Sequence, residues 1–259
     1  MKGKVSKNKF LKVVLPALLV VAIICQAVGF QAVLAKGNVA STSSDSISNL
    51  TDQQLQALTN PILQSYKADS SHKVWKMTND SRLAVLANQT NIENARLQEV
   101  VKLVNSEFVE KEIISSPLAM VYAQEKDVSY GDILIDIDQT SSITSSSNSK
   151  EAYKITIGEN GVRLTGASEN AIMHGLRTIQ NLIITNDGLV YGEIVDYPNV
   201  AERRVHVDCA RKYISKDWFI RQIREMSYMK MNALQIHFLK IWDLELNVKQ
   251  IHLSFLINI

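Results

Sequence analysis

Two short apolar runs separated by an amphipathic segment restrict the fold of the region between Asp196 and Phe238. The first run, Arg204–Asp208, contains β-branched residues, and the second is Ala233–Phe238. Between them, Ser215 is placed to cap a helix, after which apolar side chains recur at 3.6-residue spacing: Phe219, Ile220, Ile223, Met226 and Met229. The pattern predicts strand, helix and strand with a short return, which is expected to give a right-handed βαβ unit with parallel strands.

The residues before this unit predict a separate mixed-sheet α/β domain over residues 81–197. Apolar periodicity and turn residues divide it into a strand at Leu83–Leu86, a helix with an inward face from Ile92 to Phe108, strands at Leu118–Tyr122 and Asp132–Asp138, a hairpin of Tyr153–Ile157 and Val162–Thr165, and a helix from Ser168. The hairpin turn contains Asn160-Gly161, a pair that suits a tight turn with positive φ. We expect a mixed sheet with helices on one face, in a domain of roughly 100 residues.

The first 35 residues predict an export signal. A basic head contains five lysines, an apolar run follows from Val13 through Ile24, and Val33-Leu34-Ala35 offers small residues at the cleavage positions. We therefore expect a secreted or cell-surface protein that meets a membrane only through this segment during export. An uncleaved signal anchor is the alternative, because the apolar part is long.

Residues 36–80 predict a tether that ends in a short helix. The serine-rich part, Gly37–Asn49, has the composition of a flexible linker. Thr51 and Gln54 have the spacing of a capping box, and Leu55 and Leu58 begin a short apolar stripe, so we interpret this segment as a packing helix.

Charge argues against nucleic acid as a partner. The whole chain has 28 basic and 26 acidic residues, and removal of the five signal lysines leaves 23 basic residues and a formal charge of −3. No basic footprint for nucleic acid remains. Cys25 leaves with the signal, so Cys209 has no intramolecular partner, and we interpret it as a buried thiol.

The separated residues of the βαβ region carry a resemblance to a known family. The pattern consists of Asp196-x-Pro198, Arg203, Asp208, Arg211, Tyr213, Lys230-Met231-Asn232, Leu234 and His237. It resembles the family 20 glycoside hydrolases, the β-N-acetylhexosaminidases. The resemblance implies that residues 198–238 are the first βαβ unit of a (β/α)8 TIM barrel, which needs about 250 residues when complete.

The preceding domain resembles the small domain that precedes the barrel in the same family. The matching segments are Gly131-Asp132-Ile133, Glu151-Ala152-Tyr153 and Gly175-Leu176-Arg177-Thr178. The family assigns this domain no chemistry, and we interpret His174 as a surface or packing residue. The expected fold is thus a mixed-sheet α+β domain followed by an incomplete TIM barrel.

The resemblance implies that Arg203 holds the sugar, and a guanidinium can bind hydroxyl groups through several donors in a fixed fork. On the residues alone, a structural ion pair with Asp208 or a neighbouring carboxylate is the alternative. Asp208, Arg211 and His237 are interpreted as supporting residues, since polar side chains near barrel strand ends commonly support a site without touching substrate.

The implied substrate is a glycan with a terminal β-linked N-acetylhexosamine, and neither a cofactor nor a metal is implied. The family resemblance implies substrate-assisted retention, in which an aspartate orients the acetamido group and a glutamate protonates the leaving oxygen. No residue of this chain matches that Asp-Glu pair, so we expect the chain to be inactive. The alternative is a non-catalytic secreted α/β spacer or glycan-contact domain.

The resemblance ends after Phe238, and we interpret residues 239–259 as a frameshifted tail. Deleting one T from a T-run in a DNA string that encodes a family-like continuation reproduces His237 through Leu246. This hypothesis predicts a family-like frame downstream of codons 238 and 239.

Overall fold

The computed structural model describes residues 47–138, 143, 149–209 and 212–237. The helices in these ranges are α1 (Asp52–Gln56), α2 (Gln89–Ile92), α3 (Ala95–Glu110), α4 (Glu169–Asn186) and α5 (Lys216–Tyr228). The strands are β1 (Ser65–Ala68), β2 (Val74–Trp75), β3 (Arg82–Leu86), β4 (Ala119–Ala123), β5 (Ile133–Ile137), β6 (Tyr153–Gly158), β7 (Gly161–Gly166), β8 (Leu189–Val190), β9 (Gly192–Asp196), β10 (Arg204–Asp208) and β11 (Ala233–His237).

A seven-stranded mixed sheet forms the centre of the first domain, in the order β1-β9-β6-β7-β5-β3-β4. The pairs among β1, β9, β6 and β7 are antiparallel, whereas β7, β5, β3 and β4 run parallel to one another. The short strands β2 and β8 form a separate antiparallel pair. The predicted mixed α/β fold is confirmed.

Helices α3 and α4 bury their apolar faces in one large core with the sheet. Within α3, Leu97, Val101, Val104 and Phe108 are fully buried. The predicted face began at Ile92, but the Asn94 side chain accepts a hydrogen bond from the Leu97 N–H and caps a new helix. Because an N-cap starts a new helix, Ile92 lies outside α3 as the last residue of α2, and its side chain is 44% exposed.

The hairpin between β6 and β7 forms at the predicted turn. Gly161 has a φ of +88°, and a Cβ added there would lie 2.5 Å from the carbonyl oxygen of Asp132. Only glycine adopts this conformation without strain and tolerates this approach of another backbone.

The described part of the segment before residue 81, residues 47–80, packs against the domain, which agrees with the predicted packing helix but not with a tether that extends to Asn49. The capping box of Thr51 and Gln54 is present at α1. Beyond it, Tyr66 on β1 and Trp75 on β2 are buried, together with Leu55 and Leu63. Their strands pair with β9 and β8, which come more than 100 residues later in the chain, so the local pattern did not reveal them. Residues 36–46 lie outside the described residues.

The βαβ unit has the predicted form. Strands β10 and β11 are parallel, in a register that pairs Arg204 with Ala233 and Asp208 with His237. The Ser215 hydroxyl accepts a hydrogen bond from the Trp218 N–H and caps α5. Met226 is buried, as its position in the apolar stripe predicts, whereas Ile220 and Met229 of the same stripe are exposed.

Candidate functional site

The carboxyl ends of β10 and β11 bring two predicted supporting residues side by side. Asp208 and His237 are register partners at the last positions of the two strands, and both are exposed. Cys209, which follows Asp208, donates its backbone N–H to the carbonyl of His237 at 2.8 Å, and its thiol is only partly buried. Arg211 lies outside the described residues. Since TIM-barrel enzymes bind substrate at this end of their strands, the pair has the position expected of site residues.

Arg203 lies at the opposite end of the strands, immediately before β10. Its Nε donates to the Lys230 carbonyl at 2.7 Å, and one terminal nitrogen donates to the Val200 carbonyl at 2.8 Å. The other terminal nitrogen forms an ion pair with Glu151. The structure thus favours an ion pair with a neighbouring carboxylate, although that carboxylate is not Asp208. Sugar contact by Arg203 stays a prediction.

Glu151 joins the two domains through both carboxylate oxygens. One oxygen accepts from the side-chain amide of Asn232 at 3.0 Å, and the other is paired with Arg203. Burial by itself raises the pKa of Glu151, but the interactions with His174, Asn232 and Arg203 outweigh it and lower the pKa to about 2. Glu151 is therefore ionised at neutral pH. Its role is to stabilise the junction between the domains, not to transfer a proton.

A second polar junction surrounds Lys230. Its ammonium group lies 2.7 Å from Asp196 Oδ2 and 2.8 Å from the Tyr153 hydroxyl, which itself lies 2.6 Å from the Thr178 hydroxyl. The other oxygen of Asp196 accepts the backbone N–H of Gln64 at 3.1 Å. Burial lowers the pKa of Lys230, while Asp196 opposes that effect. Each charged group is satisfied, as buried charges must be.

A third junction pairs α4 with α3 and α5. Arg177 on α4 forms a fully buried ion pair with Glu107 on α3. It also donates from Nε to the Ser227 hydroxyl at 3.0 Å and stacks over the Tyr228 ring at 4.3 Å from its centroid. Three polar junctions therefore hold the βαβ unit against the first domain.

Local sequence pattern does not identify Glu151, Asp196 or Lys230 as structural partners, although all three lie within the segments that carry the family resemblance. Lys230 has a φ of +53° where the chain leaves α5, a conformation that the local sequence does not indicate. Its partners lie far away in the sequence, so spacing could not identify them.

No metal site is present in the described residues, since nowhere in them do three or more histidine, cysteine or acidic side chains group around a possible ion. Of the helices within those same ranges, none is both long and apolar enough to cross a membrane. The predicted export signal, residues 1–35, lies outside the described residues.

Comparison with protein families gives two adjacent matches. The family model described as glycosyl hydrolase family 20, domain 2, matches residues 59–197, more than half of the chain. The model described as glycosyl hydrolase family 20, catalytic domain, matches residues 202–250. The first match begins well before residue 81, in agreement with the packing of residues 47–80 into the domain.

Individual proteins match over part of their length. Beta-hexosaminidase B of Pseudoalteromonas piscicida is 31% identical over 86 residues, which are 33% of this chain and 11% of that protein. Flavobacterium johnsoniae chitobiase superimposes with a TM-score of 0.57 at 18% identity, over 73% of this chain and 28% of its own. A Vibrio harveyi exo beta-N-acetylglucosaminidase in complex with N-acetylglucosamine superimposes with a TM-score of 0.53 at 15% identity. That match covers 73% of this chain and 26% of the Vibrio harveyi chain. The chain thus spans a minor part of these relatives, and the structural matches show a shared fold.

Proposed function

This chain belongs to glycoside hydrolase family 20, and from that premise we propose that it supplies the small domain and the first βαβ unit of an exported enzyme that removes terminal β-linked N-acetylhexosamine from glycans. The observation that carries the proposal is the parallel β10–α5–β11 unit, with Asp208 and His237 side by side at its carboxyl edge. A carboxylate and an imidazole at adjacent strand ends can hydrogen-bond sugar hydroxyls. Relatives that are called beta-hexosaminidases support the substrate class.

We assign the sugar-facing role to the carboxyl edge and a positioning role to Arg203. Five residue steps of about 3.3 Å each lead from Arg203 to Asp208, so the two residues are separated by roughly 16 Å along the strand. One monosaccharide does not bridge that distance and contact both groups. The hydrogen bonds of Arg203 to two backbone carbonyls and Glu151 support the same division of roles.

The reaction proposed for the complete enzyme is substrate-assisted retention. The acetamido oxygen of the substrate attacks the anomeric carbon, while a glutamate protonates the leaving glycosidic oxygen and an aspartate orients the acetamido group. Neither Asp208 nor any other acidic residue of this chain corresponds to that pair. We therefore expect the 259-residue chain to bind sugar weakly and to leave glycosidic bonds intact.

The test combines a hydrolysis assay with a binding measurement on the whole chain. A chromogenic N-acetyl-β-glucosaminide should stay uncleaved, while N-acetylglucosamine should shift the NMR resonances of His237 in a saturable way. Asp208→Asn should weaken that binding about tenfold, as loss of a charged hydrogen bond does. The matched variant Asp217→Asn, at the exposed start of α5, should leave it unchanged.

Turnover by the chain would overturn the expected inactivity. Absence of any sugar-dependent change at His237 would contradict the assignment of sugar binding to the carboxyl edge and would favour the spacer function. Export is tested by the mass of the protein outside the cell, which should correspond to a chain that begins at Lys36. The frameshift over residues 239–259 stays a prediction, and DNA sequence across codons 238 and 239 without a family-like downstream frame would refute it.

A further inference from the structure

A cavity of about 260 Å³ opens at the amino edge of β10 and β11, next to the junctions of Arg203 and Lys230. Its mouth is surrounded by three large apolar side chains that are exposed: Ile62 at 67%, Val200 at 61% and Met229 at 43%. Large apolar side chains rarely cluster in solvent around a concave surface without a ligand or partner to cover them. The cavity therefore has the lining of a binding pocket.

The inner wall of this cavity contains a buried polar side chain without a partner. His174 is 5% exposed, and neither ring nitrogen has a hydrogen-bond partner among the described residues. The Oε2 atom of Glu151 lies 3.6 Å from Nε2, just beyond hydrogen-bond distance, so these two groups interact only weakly, and Nδ1 is left without a hydrogen-bond partner. A buried polar group left without a partner is unfavourable, so this imidazole favours a ligand that can hydrogen-bond it.

The charges around the cavity cancel. Arg203 is paired with Glu151, and Lys230 is paired with Asp196, so a charged ligand would add an uncompensated charge. Burial lowers the pKa of His174, an effect that the positive charges of Lys230 and Arg203 reinforce and that Glu151 opposes. A neutral imidazole offers one donor and one acceptor, which a hydroxyl group matches in both roles.

We propose that this cavity binds a small uncharged ring compound that carries hydroxyl groups. The hydroxyls pair with His174, and the less polar face of the ring lies against Ile62, Val200 and Met229. The volume falls just below the roughly 300 Å³ at which drug-sized pockets begin, so the occupant is a single ring. The inference goes beyond the proposed function, because it uses no residue of the carboxyl edge.

The test follows the imidazole of His174 directly. Protein labelled with ¹⁵N-histidine is titrated with myo-inositol, D-glucose and cyclohexanol, with sodium acetate and sodium phosphate as charged controls. A saturable shift of the His174 ring resonances is expected with at least one neutral ring at millimolar concentration and with neither salt. A response to the salts alone would contradict the proposal that the ligand is uncharged. The absence of a saturable response to any compound would overturn the proposal that the cavity binds a ligand.

Variants separate binding from folding. His174→Phe keeps a ring and removes both nitrogens, so ligand affinity, measured by calorimetry, should fall at least about tenfold. His206→Phe, on the exposed face of β10, is the matched control and should bind as the unmodified chain does. If His174→Phe fails to fold, Ile62→Asn at the exposed mouth replaces it, with the His174 resonances as readout. Unchanged affinity in the folded cavity variant would overturn the site.

Discussion

The ammonium group of Lys230 lies 2.7 Å from the carboxylate of Asp196, and both side chains are only 8% exposed. Lys230 follows the C-cap of the helix of the βαβ unit, whereas Asp196 ends β9 in the preceding domain. This pair therefore connects two regions that match separate family models.

Replacing Lys230 by methionine should lower the free energy of unfolding by about 3–5 kcal/mol, because Asp196 would keep a buried charge without its partner. Urea denaturation measures the change. Lys73→Met is the matched control, since Lys73 forms an ion pair with Glu159 on the exposed surface, and its loss should leave the free energy of unfolding nearly unchanged. Equal losses in the two variants would contradict a structural role for Lys230.

Arg203 and Glu151 should behave as one energetic unit. A double-mutant cycle with Arg203→Gln and Glu151→Gln is expected to give a coupling energy of about 1–3 kcal/mol in unfolding experiments. The exposed pair Arg224 and Glu110, 3.4 Å apart, supplies a control cycle with a coupling below about 0.5 kcal/mol. Additive effects at Arg203 and Glu151 would instead favour the prediction that Arg203 is reserved for sugar.

The lowered pKa of Glu151 predicts a loss of stability in acid. Its folded-state pKa of about 2 lies below the ordinary value of 4.5, so its contribution is complete above pH 4.5 and is lost as the pH falls toward 2. The shift corresponds to roughly 3 kcal/mol at neutral pH. Glu151→Gln should therefore lose less stability than the unmodified chain between pH 5 and pH 2, as followed by urea titration. Parallel pH profiles would show that the carboxylate is not stabilised by its partners.

Gly161 should resist substitution, whereas Gly158 at the other side of the same hairpin should not. Gly161→Ala forces a Cβ into a positive-φ turn, 2.5 Å from the Asp132 carbonyl oxygen, and should cost at least about 2 kcal/mol. Gly158→Ala meets nothing within 4 Å and should change stability by no more than about 0.5 kcal/mol. Thermal unfolding of the two variants checks the difference, and equal melting temperatures would contradict the turn geometry.

Local pattern predicted the elements whose causes lie within a few residues. The N-cap Ser215, the start of a helix at Ser168, the hairpin turn at Gly161 and the parallel pair β10 and β11 all follow from spacings of two to four residues or from a short return. The same pattern failed at β1 and β2, because these short strands depend on β9 and β8 for their hydrogen bonds.

The same distinction between local and long-range causes applies to the candidate site. The sequence predicted a strand that ends at Asp208, a second strand that contains His237 and a parallel pairing of the two, since a short helical return favours that arrangement. The register that places Asp208 beside His237 came from the structure. Three features are visible only in the folded chain: the ion pair of Arg203 with Glu151, the ion pair of Lys230 with Asp196, and the cavity beside His174, whose ring nitrogens have no hydrogen-bond partner among the described residues. The physical reason is that helix and strand periodicity depends on near neighbours in the chain, whereas the partner of a buried charge depends on which distant segments the packed core brings together.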